Sequence, residues 1–300
     1  MDKDLAFVVS GGRTGTTFFG NNLSRFIPDA FSVHEPDVVT QKSRRLLMKR
    51  IGDFGLWHMI LGRALGQTGI RLLAEKRLTG TGDHDALVAA IHAHRDRYFS
   101  RLDKPLIVES YSQWFGVLPQ LRAAYPNAKI VAIVRDPRDW VVSWLNHGGR
   151  HTRGDFVTAF VHRRLTPDLV GDTAWAGQWD EMDAFAKLCW DWKLINTALA
   201  DFAKTDTQTR LYKFEDLFGT EDDSQIRDLI DFVADHGARR YPARFDRALW
   251  GQKVNARGDK VARWQAWSPG QAATLKAHCG PLMEQFGYGQ EAPWSDLLAA

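Results

Sequence analysis

The sequence predicts an α/β protein: a central parallel sheet with helices on both faces. Three observations carry this. Short, almost wholly apolar runs recur along the chain, as they do in strands buried on both faces. Longer stretches with apolar residues at helical spacing lie between them. The first apolar run leads into a glycine-rich loop that can open directly into a helix.

Leu5-Ala6-Phe7-Val8-Val9 reads as the first strand and ends at Ser10-Gly11-Gly12, with a helix from Thr16 to Phe26. A second strand should return near Val33. Ile107-Val108, Lys129–Val134 (KIVAIV) and Thr209–Phe214 (TRLYKF) read as further strands. The clearest helix spans about Glu181 to Lys204, where Phe185, Leu188, Trp192, Ile195, Leu199 and Phe202 share one stripe. Another begins at Ser268-Pro269, a cap followed by proline in the first turn, and runs to Phe286 before Gly287; it is expected to be the last. Without a repeat or long linker, the 300 residues are expected to form one domain. Helical insertions are expected at about 38–100 and 147–180, and the second, rich in glycine and charge, reads as an excursion.

With 44% hydrophobic residues, 17 Phe and 12 Trp, the chain can bury a sizeable core. Its 39 basic and 36 acidic side chains leave a net charge of +3, too mild to mark a nucleic-acid binder. No apolar run approaches the roughly 20 residues of a membrane span, and the short run after Met1-Asp2-Lys3-Asp4 is no signal peptide. Cys189 and Cys279 lie far apart in sequence, in apolar helical patterns; they read as buried thiols in a reducing, cytoplasmic setting rather than a disulfide framework. The histidines are scattered, and no spacing marks a metal site.

Two segments point to anions. Ser10-Gly11-Gly12-Arg13-Thr14-Gly15-Thr16-Thr17 joins a strand to a helix. Glycines let backbone amides approach an oxyanion, the helix N-terminus adds positive potential, and Arg13 with the hydroxyls of Thr14, Thr16 and Thr17 adds charge and donors. A nucleoside-triphosphate loop, G-x-x-x-x-G-K-[ST], would need lysine where Thr16 stands. The second segment, Arg135-Asp136-Pro137-Arg138-Asp139-Trp140-Val141-Val142-Ser143, leaves a strand at Val134 and enters a helix at Pro137. Arg135 and Ser143, eight residues apart, can grip one phosphate from two sides.

These segments resemble the 5′-phosphosulfate loop and the 3′-phosphate motif of sulfotransferases that use 3′-phosphoadenosine 5′-phosphosulfate (PAPS). Tyr212-Lys213-Phe214-Glu215-Asp216-Leu217 is similar to the family's strand-ending Y-E-D-L, with Phe214 in place of tyrosine. Residues Arg263 to Tyr288 resemble its C-terminal tryptophan turn and helix, and Arg257-Gly258-Asp259-Lys260 stands where a basic loop closes over the 3′-phosphate. The resemblance implies a P-loop nucleotide-kinase-like fold and a PAPS co-substrate with no metal required. It places the nucleotide against Gly12, Arg13, Thr14, Gly15, Thr16 and Thr17, then Arg135, Ser143 and Phe214, and finally Arg257, Gly258 and Lys260. Arginine at position 13, where many cytosolic members have lysine, resembles tyrosylprotein and several bacterial enzymes more than the aryl and steroid ones. The stretch Glu109–Gln113 lacks the histidine base of the latter.

In-line sulfuryl transfer needs a group to take the acceptor's proton and a charge to stabilise the leaving phosphate. Glu35, in Val33-His34-Glu35-Pro36, is the base candidate, since Pro36 biases it towards an extended backbone at a strand end. Family members with an arginine loop also tend to place a carboxylate base there. His34 and Glu109 are alternative bases, Arg13 is the catalytic cation, and Glu35 as a mere structural partner of the arginines stays open. His147 reads as a helix-end residue, and Trp175, Trp179, Trp190 and Trp192 as cleft or core. The acceptor is a hydroxyl-bearing (or amine-bearing) small molecule or glycan of unassigned identity, and the oligomeric state is open. Competing readings are a P-loop kinase-like phosphotransferase and a non-catalytic nucleotide-binding protein.

Overall fold

A computed structural model describes residues 2–38, 44–62, 68–151, 164–251 and 261–300. Five strands, β1 (Asp4–Ser10), β2 (Ala30–His34), β3 (Leu106–Ser110), β4 (Lys129–Val134) and β5 (Thr209–Lys213), form one parallel sheet in the order β2-β3-β1-β4-β5. Central β1 explains its own sequence: Leu5, Phe7 and Val9 enter one core, Ala6 and Val8 the other, so both faces must be apolar.

One face is covered by α1 (Thr16–Phe26) through Phe18, Phe19, Leu23 and Phe26, and by the later helix Ser224–Ala234 through Ile226, Leu229 and Val233. On the other lie α4 (His84–Ser100), α6 (Pro137–His147), α7 (Ala184–Thr205) and α9 (Pro269–Gln285), with Ile91, Trp140, Trp192 and Leu275 facing the sheet. Between β2 and β3 come α2 (Arg44–Phe54), a π-helical turn at Trp57–Leu61, α3 (Ile70–Leu78) and α4; α5 (Leu118–Ala124) precedes β4, and α8 (Phe214–Phe218) follows β5. In the 147–180 stretch, short helical turns occur at Asp168–Val170 and Thr173–Ala176, while 152–163 lie outside the described residues.

Gly20 is where α1 presses onto β2. A Cβ there would lie 2.6 Å from the backbone nitrogen of His34, so any side chain would push the helix off the strand end. The Ser268 cap is present as a full capping box with Gln271. The helix it starts is not the last, however: α10 (Ala292–Ala299) follows and buries Trp294 against Trp264, ring centroids 5.9 Å apart. Eight residues with one buried side chain leave too weak a periodic signal to read from sequence. The two cysteines meet in space: both are free and buried, and the Cys279 thiol donates to the Cys189 carbonyl at 3.3 Å.

His278 is 4% exposed and stacks on Trp175 with centroids 3.7 Å apart. Burial, then Lys193, lowers its pKa to about 4. Burial, then His58 and Arg95, likewise lowers His94 to about 3. Both stay neutral in the folded chain where unfolded histidines, titrating near 6.5, take up protons. Their contribution is therefore complete above about pH 6.5 and is lost as pH falls towards 4. Between neutral pH and pH 5, His278 alone should cost about 2 kcal/mol of stability. Urea unfolding across this range should show the decline, and His278→Gln should flatten it by about one proton; an unchanged slope would refute the assignment.

Candidate active site

The carboxyl ends of β1, β2, β3 and β4 open onto one edge of the sheet, beside the strand where the connections change direction. Gly12, Arg13 and Gly15 all take positive φ there, at 73°, 57° and 80°. At Gly15, the N-cap of α1, a Cβ would also come within 2.8 Å of the Phe218 ring. Trp140 Nε1 donates to the Gly12 carbonyl at 2.9 Å and fixes the loop from below. The Thr14 hydroxyl is buried and donates to Ser10 Oγ, so the Thr14 side chain turns inward, contrary to its expected service as an open donor.

Both anion segments meet directly. Arg13 Nε donates to Ser143 Oγ at 3.0 Å, and Arg135 Nη1 donates to the Arg13 carbonyl at 2.8 Å. The Arg135 guanidinium lies 4.5 Å over the Phe214 ring. Its Nε is buried without a hydrogen-bond partner among the described residues, as is Trp144 Nε1 nearby on α6. A buried charged donor with no acceptor is costly unless a ligand supplies one. Arg257, Gly258 and Lys260 lie outside the described residues. Just beyond them, the Val261 amide donates to Asn146 Oδ1 at 2.9 Å, on the same helix as Ser143.

The rest of the second motif is a brace. Arg138 is 1% exposed, clasped by Asp136 and by Glu291 (two bonds of 2.9 Å) between the rings of Trp264 and Trp294. Glu215 accepts from the Asp136 amide at 3.1 Å and from Tyr288 Oη at 2.6 Å. Burial raises the Glu215 pKa against these bonds. Trp192 Nε1, on the buried side of α7, donates to the Arg135 carbonyl at 2.8 Å. Trp190 and Trp192 are thus core residues, and His147 ends α6.

Glu35 follows β2 directly, two inter-strand spacings from β1, or about 10 Å. Its backbone is not extended as expected: φ is +43°. The chain turns here, with the Glu35 amide donating to the Ser110 carbonyl (3.0 Å) and the Val38 amide to the Glu35 carbonyl (3.1 Å). Proline at 36 disfavours the right-handed helical region, so a turn at Glu35 adopts the left-handed one. The side chain is 28% exposed, with Oε2 3.9 Å from His34 Nε2.

His34 Nδ1 sits 3.1 Å from the Ser110 carbonyl, which can only accept, so Nδ1 carries the proton and Nε2 faces the Thr17 hydroxyl at 3.3 Å. Burial, helped by Arg50, lowers its pKa and keeps it neutral. Glu109, the other alternative base, is fully buried, held by Arg95 (2.8 and 2.9 Å) and Trp114 Nε1 (3.0 Å), and cannot meet an acceptor.

Sequence reasoning missed two buried charge clusters. Arg95, 0% exposed, also binds Asp37 (3.2 and 3.3 Å), which accepts from His58 at 3.0 Å. Burial opposes the Arg95 charge, but Asp37 and Glu109 outweigh it and push its pKa up. Asp191, inside apolar α7, accepts from Arg150 and from His151 at 2.5 and 2.7 Å. Burial works to raise Asp191, yet Arg150 and His151 hold it well below the usual carboxylate range. Arg150 lies over Trp140 and Trp144, against the loop. A charge on a helix's apolar stripe, as at Arg95 between Ile91 and Phe99, was the available signal. Among the described residues no group of three or more His, Cys, Asp or Glu side chains could hold a metal.

A parallel α/β sheet whose strand ends carry a helix N-terminus and two linked arginines can receive oxyanions along one edge. The sulfotransferase family model matches residues 6–196, and the chain belongs to that family. Among solved structures, a sulfotransferase from Alicyclobacillus acidocaldarius is 16% identical with a TM-score of 0.44, covering 98% of this chain and 99% of that one. The sulfotransferase domain from the curacin biosynthetic pathway is 14% identical, TM-score 0.45, with coverage of 96% and 98%. A Mycobacterium tuberculosis sulfotransferase is 16% identical, TM-score 0.43, with coverage of 80% and 68%. No curated protein sequence matches.

Proposed function

We propose that the protein transfers the sulfuryl group of PAPS to a hydroxyl of a small-molecule or glycan acceptor, in the cytoplasm and without a metal. The observation that carries this reading is the link between Arg13, Ser143 and Arg135, whose buried Nε has no acceptor among the described residues. Arg135 and Ser143 hold the 3′-phosphate, with Phe214 beneath Arg135. The backbone amides of Gly12 to Thr17 and the hydroxyls of Thr16 and Thr17 face the 5′-phosphosulfate, to which Thr14 contributes only its amide. The resemblance assigns Arg257, Gly258 and Lys260, outside the described residues, to the 3′-phosphate as well.

In the reaction the acceptor oxygen bonds to sulfur as the bond from sulfur to the phosphate oxygen breaks. Glu35 takes the acceptor's proton, and Arg13 stabilises the charge that grows on the leaving phosphate. The Arg13 side chain already touches Ser143, so one hydrogen bond connects the leaving-group cation to the 3′-phosphate clamp. The ground-state grip and the transition-state charge thereby act on one rigid unit.

Calorimetry tests the donor. The protein should bind 3′-phosphoadenosine 5′-phosphate far more tightly than 5′-AMP or ATP. Arg135→Ala should weaken the bisphosphate at least about tenfold, because one buried charge-assisted contact contributes about 1.5–3 kcal/mol. Equal affinity for ATP and the bisphosphate would overturn the reading in favour of a kinase-like phosphotransferase.

A further inference from the structure

All the exposed large apolar side chains among the described residues fall in one short segment: Leu46, Met48, Leu56, Trp57, Ile60 and Leu61, between 38% and 61% exposed. Helix α2 buries none of its side chains fully. A soluble surface scatters such residues singly, and a cluster marks a contact face. Between positions 44 and 62, four basic residues (Arg44, Arg45, Lys49, Arg50) stand against one acidic residue, Asp53. Arg44, Arg45 and Lys49 are exposed among the apolar groups.

The inner side of this segment is firmly tied. Arg50 donates to the Pro36 carbonyl, and Arg101 donates to the Gly52 carbonyl at 2.7 Å. The Phe54 ring packs 4.5 Å from Tyr98, and His58 binds Asp37 at 3.0 Å. The outer side is therefore presented in a fixed orientation rather than left over from incomplete packing.

We infer that this face docks on an anionic phospholipid bilayer surface, with the helix lying in the interface. The mixture of aliphatic side chains, one tryptophan and interspersed basic residues is the chemistry of such a surface. A second copy of the chain fits less well, because a two-fold contact would set the basic residues against themselves. No described helix is long and apolar enough to cross a membrane, so the contact is superficial. This inference goes beyond the sulfuryl-transfer reading and stands on the surface alone. It does place the bilayer beside the Glu35 turn, since Arg50 holds the carbonyl of the next residue.

Sedimentation of the full chain with vesicles tests it. The protein should pellet with phosphatidylcholine vesicles that contain phosphatidylglycerol, weakly with phosphatidylcholine alone, and less as salt is raised. The double substitution Trp57→Ser, Leu61→Ser should reduce binding at least about tenfold, and Lys49→Glu should weaken it further, with circular dichroism and melting temperature near wild type. No binding to anionic vesicles, or equal binding by the folded double variant, overturns the inference. A concentration-dependent dimer that the double variant abolishes would also overturn it, by assigning the face to a second copy.

Discussion

Glu35→Gln is expected to lower turnover by roughly 10²–10⁴-fold, the usual loss for a general base, while leaving affinity for 3′-phosphoadenosine 5′-phosphate unchanged. Glutamine keeps the side chain's shape, and the positive φ at this position belongs to the backbone turn held by the Ser110 carbonyl and the Val38 amide. Turnover is measured with radiolabelled PAPS against a panel of hydroxyl-bearing acceptors, and affinity by calorimetry. Near-wild-type turnover would pass the role to His34 alone, because Glu109 is sealed inside the Arg95 cluster. His34 is the poorer candidate: its Nε2 already faces the Thr17 hydroxyl. Combined loss of affinity and turnover would make Glu35 a structural partner of the basic site.

The largest stability loss is expected for Arg95→Met. Asp37 and Glu109 are both fully buried, and Arg95 donates two hydrogen bonds to each. Removing the shared cation leaves two uncompensated carboxylates, which costs about 3–5 kcal/mol, or on the order of 10 °C in melting temperature. Burial already raises Glu109 towards its protonated form. The deficit should therefore shrink when Glu109→Gln is added to Arg95→Met. A double variant as unstable as the sum of its parts would show that the three groups are not coupled. Because Asp37 sits two residues beyond Glu35, the single variant should also lose turnover in excess of its unfolded fraction at assay temperature.

Much of the fold was legible because burial on both faces forces strands such as Lys129–Val134 to be apolar throughout, and that pattern survives without an alignment. Helix α1 was readable to the residue, since Gly15 and Ile27 bracket a clear amphipathic run. Arg13, Arg135 and Ser143 were readable as candidates because strand-to-helix junctions give them local context. Their direct contact was not, because it depends on which strand ends become neighbours. The Glu35 backbone was misjudged for a related reason. Proline at 36 narrows the choice to extended or left-handed, and only the turn back to Val38 decides between them. Asp37, Arg95 and Glu109 carry no motif; each looks like an ordinary charge until three separated segments close on one another. Helix α10 hid behind its brevity.

The brace behind Arg135 has a bearing on how the protein is made. Glu291 meets Arg138 across 153 positions, and Tyr288 meets Glu215 across 73. The loop around Arg13 and the segment from Arg135 to Ser143 leave the ribosome long before either Glu291 or Tyr288. A nascent chain that has completed the family-matched region, residues 6–196, has the sheet's first four strands and the Asp136 carboxylate, yet lacks Glu291, Trp264 and Trp294, which complete the clasp on Arg138. The far half of the brace around Arg138 can thus close only when translation is almost finished, so this part of the fold is completed late.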